Sequence, residues 1–158
     1  MLNEIDLELL NQTIAIAAQS RENGNHPFGA LLGTRDGNVL LAAENTVVTD
    51  KDCTGHAETN LMRMASKKYF PEFLQQCTLY SSAEPCAMCA GAIYWGGVGR
   101  VVFALSEKEL LNMTGANPKN PTLNLSCQEV FKRGQREIIV EGPVDLAAAR
   151  IVHAGFWD

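Results

Sequence analysis

A chain of 158 residues, 46% of them hydrophobic, has room for one ordinary domain with a proper core, expected to span residues 1–158, and little room for a second. That composition argues against general disorder. The formal net charge of -5, from 13 Lys plus Arg against 18 Asp plus Glu, argues against a polyanionic partner without forbidding a local basic patch, and small neutral substrates fit better.

The chain shows no run of eighteen apolar residues, so no transmembrane helix is expected. Its start, M-L-N-E-I-D-L-E-L-L, lacks the basic opening and apolar middle of a secretion signal, and a cytoplasmic location is expected. Cys53, Cys77, Cys86, Cys89 and Cys127 are odd in number in a chain that is not short. Thiols free for metal in a reducing compartment suit this better than a disulfide scaffold.

In chain order, apolar positions Leu7, Leu10, Ile14, Ala17 and Ala18 predict a helix over 6–21, stopped at Gly24. Two short strands follow at 29–34 and 38–43, joined by a turn at Arg35-Asp36-Gly37. Residues 45–55 read as a loop, 56–68 as a helix and 77–81 as a strand. A helix is predicted after Pro85, because proline suits a helix start, and it ends at Gly96-Gly97. Next come a strand over 100–104, a short helix over 106–111 and a loop through N-M-T-G-A-N-P-K-N-P-T. A helix over 124–132, a strand over 137–140 and a last helix over 144–154 complete the chain. Helices alternating with five strands predict a three-layer α/β domain.

The chemistry is concentrated in two stretches. T-G-H-A-E-T-N places His56 and Glu58 at the start of the second long helix, and S-A-E-P-C-A-M-C-A-G places Cys86 and Cys89 at the start of the third. Residues i and i+3 in a first turn share a face, so both thiols can reach one atom. The helix N-terminus favours thiolate over thiol. With a nitrogen from His56 there are three protein ligands, and the open fourth tetrahedral position is the catalytic zinc arrangement. Zinc lowers the pKa of a coordinated water. A carboxylate beside it can carry the proton to a ring nitrogen and a leaving amine, and Glu58 is placed for that and not for ligation. A lone C-x-x-C is as often structural, redox or core, but H-x-E followed by P-C-x-x-C is the signature of zinc base deaminases. Cys77, Cys53 and Cys127 read as packing residues.

On these residues the chain resembles the cytidine deaminase-like superfamily, in the branch holding bacterial guanine deaminase, tRNA adenosine deaminases and fungal cytosine deaminase. The resemblance runs from about residue 7 to 105. It implies a three-layer α/β/α sandwich with a central five-stranded mixed sheet, Zn2+, a homodimer, and hydrolytic removal of an exocyclic amine as ammonia. His56, Cys86 and Cys89 match the zinc ligands and Glu58 the proton shuttle. Asn45 matches a base-binding asparagine, and the Ala57 backbone N–H matches a donor to a ring substituent. Phe28, within P-F-G-A, matches a pocket residue, and A-G-A-I-Y-W, ending at Trp95, looks like guanine deaminase.

Phe28 and Trp95 read equally well as packing residues, and Asn45 as a loop cap. Phe156 and Trp157 resemble C-terminal aromatics that close such pockets, in their own or the partner subunit, or they pack without that role. His153 reads as surface or interface. One departure stands out: the stretch T-G-A-N-P-K-N-P has no acid where guanine deaminase carries one to read its base, and only Asn117 stands near.

The expected function is zinc-dependent deamination of a free nucleobase, guanine first, with isocytosine, cytosine or adenine as further candidates. A tRNA wobble adenosine deaminase ranks second, against the net charge and Trp95. A non-catalytic zinc-stabilised binding module ranks third, against the retained Glu58.

Overall fold

The computed structural model describes residues 1–158. The first helix, α1 (Glu4–Glu22), starts two residues earlier than the apolar spacing indicates, because Asn3 caps it. The Asn3 side chain accepts from the Asp6 N–H at 2.9 Å, and Asp6 accepts in return from the Asn3 N–H at 3.0 Å. This reciprocal box satisfies two orphan donors of the first turn. The hairpin follows as β1 (Gly29–Gly33) and β2 (Val39–Glu44), with Gly37 at φ +92° in the turn. Gly29 is required by packing, since a Cβ there would collide with the Thr13 carbonyl and the Ala17 nitrogen of α1.

The remaining elements are α2 (Ala57–Lys68), a single turn α3 (Pro71–Leu74) that the sequence did not announce, β3 (Thr78–Ala83), α4 (Ala87–Gly96), β4 (Arg100–Leu105), α5 (Glu107–Thr114), α6 (Cys127–Lys132), β5 (Ile139–Glu141) and α7 (Ala147–Ile151). Gly97 ends α4 in a left-handed conformation at φ +102°. The strands form one sheet in the order β2-β1-β3-β4-β5. β1 is antiparallel to β2 and β3, while β3, β4 and β5 run parallel, so the sheet is mixed.

The two-residue period of the strands sorts side chains between two cores. Leu32, Leu79, Val101 and Phe103 pack with Leu61 and Ala65 of α2 and Ile93 of α4. Leu31, Tyr80 and Val102 pack with Leu9, Leu10 and Ile14 of α1, Leu110 of α5 and Ala149 of α7. Helices cover both faces, as the α/β/α expectation requires. No helix is long and apolar enough to cross a membrane.

One end of the sheet is tied to α1 by charge. Arg100 grips both carboxylate oxygens of Asp6, at 2.8 and 2.9 Å, and the Tyr80 hydroxyl donates to Asp6 at 2.6 Å. Arg100 also reaches Glu141. Hydrogen bonding from Arg100 holds the buried Asp6 carboxyl down at about 2, against the burial that raises it. A carboxyl depressed in the folded state stabilises the fold above its unfolded pKa, and that contribution is lost as pH falls through the folded value. Asp6 should therefore supply about 2 kcal/mol that disappears between about pH 5 and pH 2. Urea titrations across that range should show a flatter loss for Asp6→Asn than for the wild type. An unchanged slope would exclude Asp6 as the source.

Candidate active site

Two helix N-termini meet at one end of the sheet. His56 is the N-cap of α2 and Cys86 the N-cap of α4, with Cys89 three positions into that helix. Pro85 thus stands just before the helix, as expected, and Cys86, as the cap, stands half outside it in extended geometry. An N-cap side chain folds back over the third helical residue, which is why the two thiols converge.

His56 Nδ1 lies 3.5 Å from Cys86 Sγ and 3.6 Å from Cys89 Sγ. All three ligand atoms lie within 4.8 Å of one another. A tetrahedral zinc with ordinary bond lengths needs a nitrogen–sulfur edge of about 3.5 Å, so the donor set and its spacing fit that ion. The protein's own groups prepare it. The hydrogen bond from Cys89, with a further one from His56, pulls the Cys86 thiol down to about 4 despite its burial. Cys89 is pushed up by that same bond and by its burial. A bound cation reverses the second shift, because a coordinating thiol is deprotonated outright. The Thr59 hydroxyl donates to Cys89 Sγ at 3.2 Å and orients it.

Glu58 lies beside this trio and is 5% exposed. Its Oε1 accepts from the Ser81 hydroxyl at 2.5 Å, and Cys89 approaches Oε2 at 3.3 Å. Burial raises its pKa, and the Ser81 bond opposes that rise. The group lines a cavity of about 340 Å³ together with Phe28, Asn45, Glu84 and Glu107. The Asn45 Oδ1 accepts from the Val47 N–H, while its Nδ2 has no partner in the chain. The Ala57 N–H, at the first position of α2, likewise makes no hydrogen bond within the chain.

The other expected pocket residues stand elsewhere. Trp95 is 84% exposed at the far end of α4 and does not line the cavity, since its position in the helix turns it to solvent. Phe156 and Trp157 back the wall without forming its lining, and they do so in their own chain. Both stack edge-on against His26, and Trp157 also approaches Phe28. His153 is buried, 3% exposed, and not at the surface as expected. It accepts from the Trp157 indole at 3.0 Å, and burial pushes its pKa down to about 4. Arg21 of α1 pins this end through the carbonyls of Val152 and Ala154. Asn117 donates to the Trp157 carbonyl at 2.6 Å and so holds the C-terminal segment in place.

Two acids escaped the reading of the sequence. Glu84 sits inside the S-A-E-P-C stretch, yet nothing in its spacing separates it from a surface acid. It accepts from the Glu107 N–H at 3.1 Å and the Cys127 N–H at 3.0 Å, and so joins the starts of α5 and α6. Glu107 opens α5 and faces the cavity. Burial, with the neighbouring Cys86, Glu84 and Glu58 charges, pushes its carboxyl up to about 8.

A mixed α/β/α sheet with one histidine and two cysteines converging from two helix starts defines a mononuclear zinc site with an adjoining carboxylate. The chain belongs to the cytidine and deoxycytidylate deaminase family: residues 3–105 match its zinc-binding region. It is 40% identical over 157 residues to a probable cytosine deaminase of Schizosaccharomyces pombe, covering 99% of this chain and 95% of that protein. It is 38% identical over 101 residues to guanine deaminase of Bacillus subtilis, covering 63% of this chain and 64% of that protein. The solved guanine deaminase of Nitrosomonas europaea shares the fold, with a TM-score of 0.76 at 23% identity over 97% of this chain and 84% of that one.

Proposed function

We propose that this chain, acting as one unit over residues 1–158, is a zinc-dependent hydrolase that deaminates a free nucleobase, with cytosine ahead of guanine. The observation that carries the reaction type is the pairing of a zinc-competent His56/Cys86/Cys89 set with the buried Glu58 carboxyl at one cavity floor. A purely structural zinc site has no use for that carboxyl. Cytosine moves ahead of guanine because the similarity to a probable cytosine deaminase runs end to end, whereas the guanine deaminase match stops at 63% of the chain.

His56, Cys86 and Cys89 would hold a zinc ion, which when bound would lower the pKa of a coordinated water and make it nucleophilic near neutral pH. Ser81 fixes one oxygen of Glu58, and once Cys89 is a thiolate the other oxygen is free to face the cavity. Glu58 takes a proton from the attacking water and passes it to the ring nitrogen next to the amine-bearing carbon. It then delivers the second proton to the departing amine, which leaves as ammonia while the ring keeps the carbonyl oxygen. The unpartnered Asn45 Nδ2 and Ala57 N–H are suited to hold a ring oxygen, and Phe28 supplies an apolar face for the ring.

Ammonia release from the zinc-loaded protein tests this against cytosine, isocytosine, guanine, adenine, their nucleosides and a tRNA anticodon stem-loop with a wobble adenosine. We expect kcat/KM for cytosine to exceed that for guanine by about tenfold or more, the scale of one well-placed polar contact. Turnover of the stem-loop alone would overturn the free-base reading.

A further inference from the structure

Three carboxyls face the cavity, and two of them are already engaged. Glu58 is bound by Ser81, and Glu84 accepts two backbone N–H groups. Glu107 is 8% exposed, and its carboxyl opens on the cavity without a hydrogen-bond partner in the chain. A carboxyl that faces a cavity with no partner of its own keeps its full acceptor capacity for a ligand.

The backbone that carries it is held in place. Ser106 caps α5 in a reciprocal box with Glu109, and Glu84 fixes the Glu107 N–H. Asn45 and Phe28 come from the β1–β2 side of β3, and Glu107 follows β4 on the other side. A ring held by its oxygen on the first wall therefore has a second polar contact waiting on another element. The loop that follows α5 offers no acid of its own, with Lys119, Asn120 and Thr122 on the lining.

Resting on the free-base reading above, we propose that Glu107 is a specificity-determining residue that accepts a hydrogen bond from a ring N–H of the bound base. The site thereby selects free bases over derivatives substituted on that nitrogen, nucleosides included. A carboxyl left facing an N-alkyl group loses this bond and stays desolvated, and the lost contact is worth about tenfold to a hundredfold in affinity.

The test compares cytosine with 1-methylcytosine in the zinc-loaded wild type, Glu107→Gln and Glu107→Met. The wild type should favour cytosine by about tenfold to a hundredfold in kcat/KM, chiefly through KM. Glu107→Met keeps the volume but offers no oxygen acceptor, and it should lose that preference at normal zinc content. Glu107→Gln retains a carbonyl and should keep part of it. A wild-type preference that persists undiminished in Glu107→Met would overturn this inference and leave the deaminase reading standing. Failure of the wild type to turn over either cytosine or guanine would overturn both. Should Glu107→Met fail to fold, a crystal structure of the wild type with cytosine decides. A ring N–H within about 3 Å of the Glu107 carboxyl is expected, and a ring C–H turned toward that carboxyl would overturn the proposal.

Discussion

Replacing Glu58 with alanine should lower kcat for base deamination by about 10²- to 10⁴-fold, the range for losing a positioned proton carrier, while zinc content and fold stay intact. The side chain is not a member of the His56/Cys86/Cys89 group, so its removal leaves the ligands in place. It also sits where burial disfavours its charge, so its loss removes a desolvation cost. Of the two side-chain hydrogen bonds to Glu58, the one from Cys89 is already gone once that thiol ligates as thiolate, so the loss is that of the Ser81 hydroxyl, worth about 1 kcal/mol. Steady-state kinetics, metal analysis and circular dichroism together check this. Full activity in a folded, zinc-loaded Glu58→Ala protein would remove Glu58 from the mechanism.

The second large effect concerns the metal. His56→Ala should take bound zinc from about one ion per chain to nearly none, with activity falling to background. Two thiolates alone leave the tetrahedron half empty. The imidazole also contributes to holding the Cys86 thiol low, so its loss weakens a second ligand. Because metal binding draws on folding free energy, thermal stability should fall with the zinc. Metal analysis of the purified variant after dialysis is the readout, and unchanged zinc content would exclude His56 from the ligand set.

Most of the fold was legible because its signals are local. The D-G turn, the capped starts and the apolar periods mark nearly every element, and five strands alternating with helices leave few architectures. The start of α1 shows the limit. Asn3 and Asp6 form a capping box, but their polar character gave the apolar periodicity nothing to register. Turn α3 is four residues long, too short for any period to show.

The site divides in the same way. His56, Glu58, Cys86 and Cys89 could be read because each pair has a recognisable spacing at a helix start, although only the packing of α2 against α4 brings the two pairs together. Trp95 and His153 could not, because exposure at a helix end and burial beneath a C-terminal turn depend on what packs against them. Glu84 and Glu107 were invisible for a related reason. In sequence they are two acids among 18 acidic residues, and only the meeting of β3, α5 and α6 turns one into a brace and leaves the other facing the cavity.

By itself the sequence determined the layered α/β class and the two short motifs that carry the metal-ligand set and the acid beside it, since element periods and spacing within each motif are local signals. The tertiary structure alone decided the walls of the cavity and which polar groups remain free inside it. Those depend on elements brought together across the sheet, where burial and partner choice, and not residue type, set what a side chain can do.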